Sequence, residues 1–325
     1  MAACGPRRGR RVGEEAGIVN RGSASLTLRL ATPHDRPQLA ALLARTTRRH
    51  GSLATEEQLA LLGNRLSTLA TDGGEAIGFL GLSLRRPSPQ PAERWGDVRL
   101  VAIGRERSAS NTLVALLDAA LPSLHTQAAT GLVCLAADDW LIDALSIAGF
   151  VQVDQVISYV RSGFRPPPLT PQPATLRLAG PANAETVLAL NAAAFAPFWR
   201  LDDDTLLSWL LTADYAVLAL ADGRPAGFAL TADRGSEGPA HLIRIAIHPA
   251  AQGRGIGRQM IADAIAHAHD IGAAGLALNT QISNAAARRV YESLGFQATG
   301  AGLAVMMYPL DSYFAGALNS SPGRM

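Results

Sequence analysis

Apolar positions along this chain follow two periods, and the order in which the periods alternate is repeated. In the second half, "TLRLA" (175–179) reads as a short strand. "AETVLALNAAAF" (184–195) spaces its apolar residues as a helix does. "DDDTLLSWLLT" (202–212) predicts a second helix, with aspartates at the start where the helix dipole favours negative charge. "YAVLALADGRPAGFALTAD" predicts two strands joined by a tight Asp-Gly turn, and "HLIRIAIHP" a strand closed by proline. "GRQMIADAIAHAHDIG" (257–272) predicts a helix ending at glycine, followed by the buried strand "GLALNT". "SNAAARRVYESLG" (283–295) predicts a helix capped by Ser283 and stopped by Gly295. "FQATG" and "GLAVMMYPL" supply two last strands. The order β-α-α-β-β-β-α-β-α-β-β belongs to the α/β class: a mixed central sheet with helices on both faces.

The first half carries the same signals. "TLRLA" occurs at 27–31 and again at 175–179, and Pro33 and Pro181 follow at the same distance. "GEAIGFLGL" (74–82) parallels "GRPAGFALT" (223–231), and "LSIAGF" (145–150) parallels "YESLGF" (291–296). The order is kept and the spacing barely drifts, so one domain has been duplicated. Between the copies, "GFRPPPLTPQP" (163–173) holds five prolines in eleven residues and predicts an extended linker. The expected organisation is a disordered tail (1–25), a first domain (26–162), a proline-rich linker (163–174), a second domain (175–312) and a C-terminal tail (313–325).

Composition narrows the function. The chain has 325 residues, 48% hydrophobic and 17% charged, as expected of a core-rich globular protein of two domains. No apolar run is long enough to span a membrane, and the basic N-terminus lacks the apolar stretch of a secretory signal. Formal net charge is +2, and residues 1–25 carry five arginines against Glu14 and Glu15. The remainder is close to neutral, a poor footprint for nucleic acid. All 29 basic residues are arginine, which excludes lysine Schiff-base chemistry and a Walker A loop. The two cysteines, Cys4 and Cys134, give no disulfide framework and no cysteine-ligated metal site, and a cytoplasmic location fits.

The segment with the clearest chemistry is "IAIHPAAQGRGIGRQM" (245–260). Its glycines lie between a strand and a helix, where they let the backbone turn sharply and approach a ligand without a Cβ in the way. The helix start aims free N–H groups at an anion. The dinucleotide pattern G-x-G-x-x-G fails here, because Arg258 stands at its third glycine. What remains is Q-x-x-G-x-G, Gln252 to Gly257.

"RIAIHPAAQGRGIGRQMIADAI", then "LALNT", then "SNAAARRVYESLGF", together resemble the GNAT superfamily of acyl-CoA-dependent N-acyltransferases. The resemblance covers the second copy, Thr175 to about Leu310, and implies tandem GNAT-like domains with acetyl-CoA as acyl donor and no metal. It implies that Gln252, Gly253, Arg254, Gly255, Ile256 and Gly257 would cradle the pyrophosphate of coenzyme A, with charge from Arg258. Ile245, Ala246 and Ile247 would offer main-chain groups to pantetheine, one N–H polarising the thioester carbonyl. Asn284 would contact the cofactor side, and Tyr291 would protonate the departing thiolate.

Several of these residues also have a local reading. Ala287, Tyr291 and Leu294 share a helix face, as a core aromatic would. Asn284 sits at a helix start, and His248-Pro249 ends a strand. The strand before the loop, His241 to Ile247, has no carboxylate to act as the base found in many relatives. Alternation puts His241 on one face with Ile243, Ile245 and Ile247, so His241 is the candidate base, with Asp233 and Glu237 behind it. Phe195, Phe198 and Trp199 read either as an acceptor pocket with Asp202 to Asp204 drawing in a cationic amine, or as packing over a capped helix.

The first copy lacks the loop. Aligned from the strand ends, Ser108 faces Gln252, Asn111 faces Gly255, Leu113 faces Gly257, and Leu145 stands opposite Tyr291. The expectation is a degenerate first domain packed on a working second one in a monomer, acetylating a small amine, an aminoglycoside-like compound or a protein N-terminus. The alternative is a non-catalytic acyl-CoA sensor.

Overall fold

The structure is a computed structural model, describing residues 26–51, 53–85, 93–163, 173–233 and 238–310. The expected terminal tails, Glu237 and most of the linker lie outside the described residues. In chain order the first copy comprises β1 (Leu26–Leu30), α1 (Arg36–Arg45), β2 (Arg49–His50), α2 (Thr55–Gly63), β3 (Thr68–Asp72), β4 (Glu75–Leu84), β5 (Trp95–Ile103), α3 (Ala109–Thr126), β6 (Gly131–Ala136), α4 (Asp139–Ile147) and β7 (Val151–Ser162). The second comprises β8 (Thr175–Leu178), α5 (Ala184–Ala194), α6 (Asp203–Thr212), β9 (Tyr215–Ala221), β10 (Arg224–Ala232), β11 (Ala240–Ile247), α7 (Ile256–Asp270), β12 (Gly275–Gln281), α8 (Ala285–Ser293) and β13 (Gln297–Pro309). No described helix is long and apolar enough to cross a membrane.

The hairpins form where the sequence offers residues that accept positive φ. Gly73 and Gly74 join β3 to β4, and Asp222 and Gly223 join β9 to β10, all with φ between 52° and 88°. Two differences from the sequence reading concern ends. The expected pair of final strands is one strand, β13, bent by a register shift between Ala298 and Gly302. The cap of α8 is Asn284, whose side chain accepts from the Ala287 N–H at 3.2 Å. Ser283 instead gives its hydroxyl to Asp154 on β7.

The two copies share one sheet. Its order is β1-β3-β4-β5-β6-β13-β7-β12-β11-β10-β9-β8, with β2 attached to β5. The last strands are exchanged: β13 of the second copy pairs with β6 of the first, and β7 of the first pairs with β12 of the second. Packing of two closed domains is therefore replaced by interleaving. Helices α3, α4, α7 and α8 cover one face of the sheet, over cores that include Leu116, Leu141, Ile265 and Leu294. Helices α1, α2, α5 and α6 cover the other, over Leu42, Phe79, Leu206 and Phe228. Between the latter pairs, Trp95, Val133, Phe198, Val305 and Met307 form a small core that joins the copies.

Candidate active site

Parallel strands β11 and β12 pair only from Ala240 to Leu242, although both run on beyond that point. They diverge, and the edge of β11 from Ile243 to Ile247 is left facing a gap. The cause lies on the other side of β11. Leu230 of β10 pairs with Arg244 and Thr231 pairs with Leu242, so Ile243 is an extra residue, a β-bulge. The His248 N–H donates to the Ala226 carbonyl at 2.8 Å. By alternation Ala246 also points its main-chain groups at β10, while Ile245 and Ile247 point theirs at the gap. Of the three residues expected to offer main-chain partners, Ala246 is therefore turned away.

The bulge also changes which side chains share a face. Ala240, Leu242, Ile245 and Ile247 pack under α7, whereas Ile243 and Ala246 pack with α5 and α6. His241 falls on the α5/α6 face. The expected row of His241, Ile243, Ile245 and Ile247 is broken, because an inserted residue reverses the alternation.

The strand ends in a loop of eight residues before α7. His248 closes β11, its Nδ1 accepting from the Ala250 N–H at 3.2 Å. The Gln252 side chain turns back to the Ile247 carbonyl at 3.2 Å. Gly253 and Gly255 have φ of 76° and 86°, in the left-handed region, and Gly255 caps α7. A Cβ at Gly253 would meet nothing within 4 Å. The N–H groups of the first turn, Ile256 to Arg258, have no carbonyl of their own helix to bond, and they give this end a partial positive charge. Open strand edge, left-handed glycines and helix start together suit an anionic ligand with an extended arm. Arg254 pairs with Asp222 at 3.0 Å, and Arg258 donates to the Ser293 hydroxyl at 2.6 Å. Both guanidinium groups are thus held beside the loop.

Tyr291 projects from α8 into the core beneath β12 and is 6% exposed. Its ring lies between Tyr159 of β7, at 6.1 Å, and Phe296, at 6.0 Å. Burial pushes its hydroxyl up to about 12, so it stays protonated across the neutral range.

The aromatic cluster before α6 divides its duties. Phe198 is 7% exposed and meets Trp95 of the first copy edge-on at 4.9 Å, so it joins the copies. Phe195 lies 3.5 Å beneath the Arg244 guanidinium. Asp202 is a helix cap, accepting from the Thr205 N–H at 2.9 Å. Arg244 escaped the sequence reading as one charged position in an apolar strand. It donates to Asn191 Oδ1 at 2.8 Å and to the Trp199 carbonyl at 3.1 Å, while its buried Nε has no partner. Burial first, and Arg85 second, push its pKa down to about 9. A cavity of about 260 Å³ opens beside this segment, between the copies, with Glu57, Asp97, Arg99 and Asp204 in its walls.

In the first copy the corresponding gap is filled by the chain itself. Strands β5 and β6 also pair for three residues, Trp95 to Asp97, and then part. There β2 pairs with β5 at Val101 and Ala102, while β4 occupies the opposite edge of β5 over the same stretch. The Ile103 N–H donates to the Arg48 carbonyl at 3.0 Å, and the Thr46 hydroxyl to the Ile103 carbonyl at 2.6 Å. His50 reaches across to within 3.7 Å of Cys134 on β6. The loop before α3 has five residues against eight before α7, and Ser108 caps α3. Ser108 thus stands where Gly255 does. The ungapped match to Gln252 was displaced by this three-residue difference.

Comparison with known proteins agrees with this geometry. Residues 184–296 match the acetyltransferase (GNAT) family. A mycothiol acetyltransferase of Thermomonospora curvata is 31% identical over 281 residues, covering 80% of this chain and 90% of that protein. One from Streptomyces coelicolor is 29% identical over 289 residues, covering 83% and 91%. Among solved structures, a GCN5-related N-acetyltransferase from Sphaerobacter thermophilus superposes with a TM-score of 0.58 at 17% identity, covering 87% of this chain and 95% of its own. A tandem GNAT protein from the clavulanic acid biosynthesis pathway gives 0.54 at 16%, covering 88% and 98%. These structures share the fold and the first two relatives share sequence through both copies: the chain belongs to the GNAT acetyltransferase family and is an enzyme of acetyl transfer to an amine.

Proposed function

We propose that the chain acetylates the amine of a mycothiol-type small molecule, using acetyl-CoA held in the second copy alone. The observation that carries this reading is the gap between β11 and β12, which runs from an open strand edge into the glycine loop and the start of α7. The relatives that match through both copies are mycothiol acetyltransferases, which makes mycothiol lacking its acetyl group the first acceptor to try.

In this proposal the Ile245 and Ile247 main-chain groups pair with the pantetheine arm. The N–H groups of Gly253 to Gly257 face the pyrophosphate, with Arg254, Arg258 and Asn284 beside it. The Ile245 N–H polarises the thioester carbonyl. The amine nitrogen attacks the carbonyl carbon, the C–S bond breaks, and Tyr291 gives its proton to the sulfur. The proton lost by the amine goes to His241, on the same face as α5 and α6, directly or through water.

Release of coenzyme A thiol from acetyl-CoA, followed across a panel of amines, tests the reading. Thiol release above background with mycothiol lacking its acetyl group, and a mass gain of one acetyl on that amine, is the expected result. Turnover confined to unrelated amines or to peptide N-termini overturns the acceptor assignment.

A further inference from the structure

Three consecutive carbonyls in the segment between α5 and α6 are held by arginines from both copies. Arg85, at the end of β4, donates Nη1 to the Phe198 carbonyl at 2.6 Å and to the Arg200 carbonyl at 3.4 Å. Arg244, on β11 beside the bulge, takes the Trp199 carbonyl between them. Asp97 of β5 fixes Arg85 from behind through both carboxylate oxygens, at 3.0 and 2.6 Å. Phe198 is seated against Trp95 in the same patch. A connecting segment with no more than one 3-10 turn, here Pro197–Trp199, is ordinarily among the more mobile parts of a domain. Here backbone and side chain are both tied down, by Arg244, Asn191 and Arg200 from within the second copy and by Arg85 and Trp95 from the copy whose own gap is filled.

We propose that Arg85 of the first copy is a positioning residue for acetyl transfer in the second: it fixes the α5–α6 segment against β11 and so shapes the acceptor side of the site. The inference rests on the proposed placement of the acceptor on the α5/α6 face. It gives the first copy a task that needs no cofactor. Arg85 acts through the segment and not on the reacting atoms. Its loss therefore weakens acceptor binding and leaves acetyl-CoA binding alone.

The test compares full-length wild type with Arg85→Gln and with Arg29→Gln. The latter breaks another paired arginine of the first copy, joined to Asp35 at 2.7 and 2.5 Å on the outermost strand of that copy. Arg85→Gln is expected to raise the acceptor KM by about tenfold or more, from lost charge-assisted hydrogen bonds, with the acetyl-CoA KM unchanged. It is also expected to speed amide hydrogen exchange in residues 195–202 but not in α7. Arg29→Gln is expected to do neither. Unchanged exchange in 195–202, or acceptor and acetyl-CoA KM values rising together, overturns the proposal. If wild type does not turn over the mycothiol-type amine, the acceptor assignment fails on its own. The KM split is then read with the amine that is turned over, and exchange still reports the anchor.

Discussion

The sequence offered two readings of Tyr291, a core aromatic and an acid; the structure shows the first, and the second belongs to the proposed mechanism. Its ring belongs to the core, and the same burial holds its hydroxyl protonated up to about 12. The sign matters for pH dependence. A tyrosine raised in the folded state favours folding below its ordinary pKa and loses that contribution as pH rises through the folded value. Tyr291, the proposed proton donor, is thus protonated throughout the neutral range, and any fall in rate on the acid side belongs to another group. Tyr291→Phe is expected to lower kcat by about 10²–10⁴-fold, the usual weight of a general acid, with acetyl-CoA affinity and melting temperature unchanged. Unaltered turnover in stopped assays of thiol release would remove Tyr291 from the chemistry. Arg244 and Arg85 are the opposite case. An arginine in an apolar strand carries no sign of its partner, and these partners are main-chain carbonyls distant in sequence.

At the scale of elements, helices and hairpins were readable because each has a local cause: spacing, a cap or a turn residue. The helix expected at 184–195 spans Ala184–Ala194, and that at 202–212 spans Asp203–Thr212. What escaped was any feature that depends on a neighbouring strand. The bulge at Ile243 exists only relative to β10, and it puts His241 and Ile245, expected on one face, on opposite faces. Strand β2 has two residues and exists only because β5 parts from β6. The glycine loop was readable, since left-handed backbone selects glycine, and φ of 86° at Gly255 explains its presence. Gly255→Ala places a Cβ on that backbone at a strain of about 1–3 kcal/mol. It is expected to weaken acetyl-CoA binding in equilibrium titration and leave the fold intact by circular dichroism. Undiminished affinity would mean that this turn does not shape the cofactor site.

At the scale of the molecule, the duplication was visible as repeated sequence, whereas the exchange of last strands was not. A pattern of alternation specifies that a strand exists and which face it buries, not which copy supplies its neighbour. Here β13 completes the first copy's part of the sheet and β7 the second's, so neither part is whole without the other. The asymmetry between the copies follows from two local differences. In the first, residues 46–50 satisfy the edge of β5, and a five-residue loop leads to a serine-capped helix. In the second, the edge of β11 stays open and leads to glycines. Isothermal titration of the full-length chain with acetyl-CoA tests this most directly: one equivalent bound per chain is the predicted result, and two equivalents, or none, would contradict it.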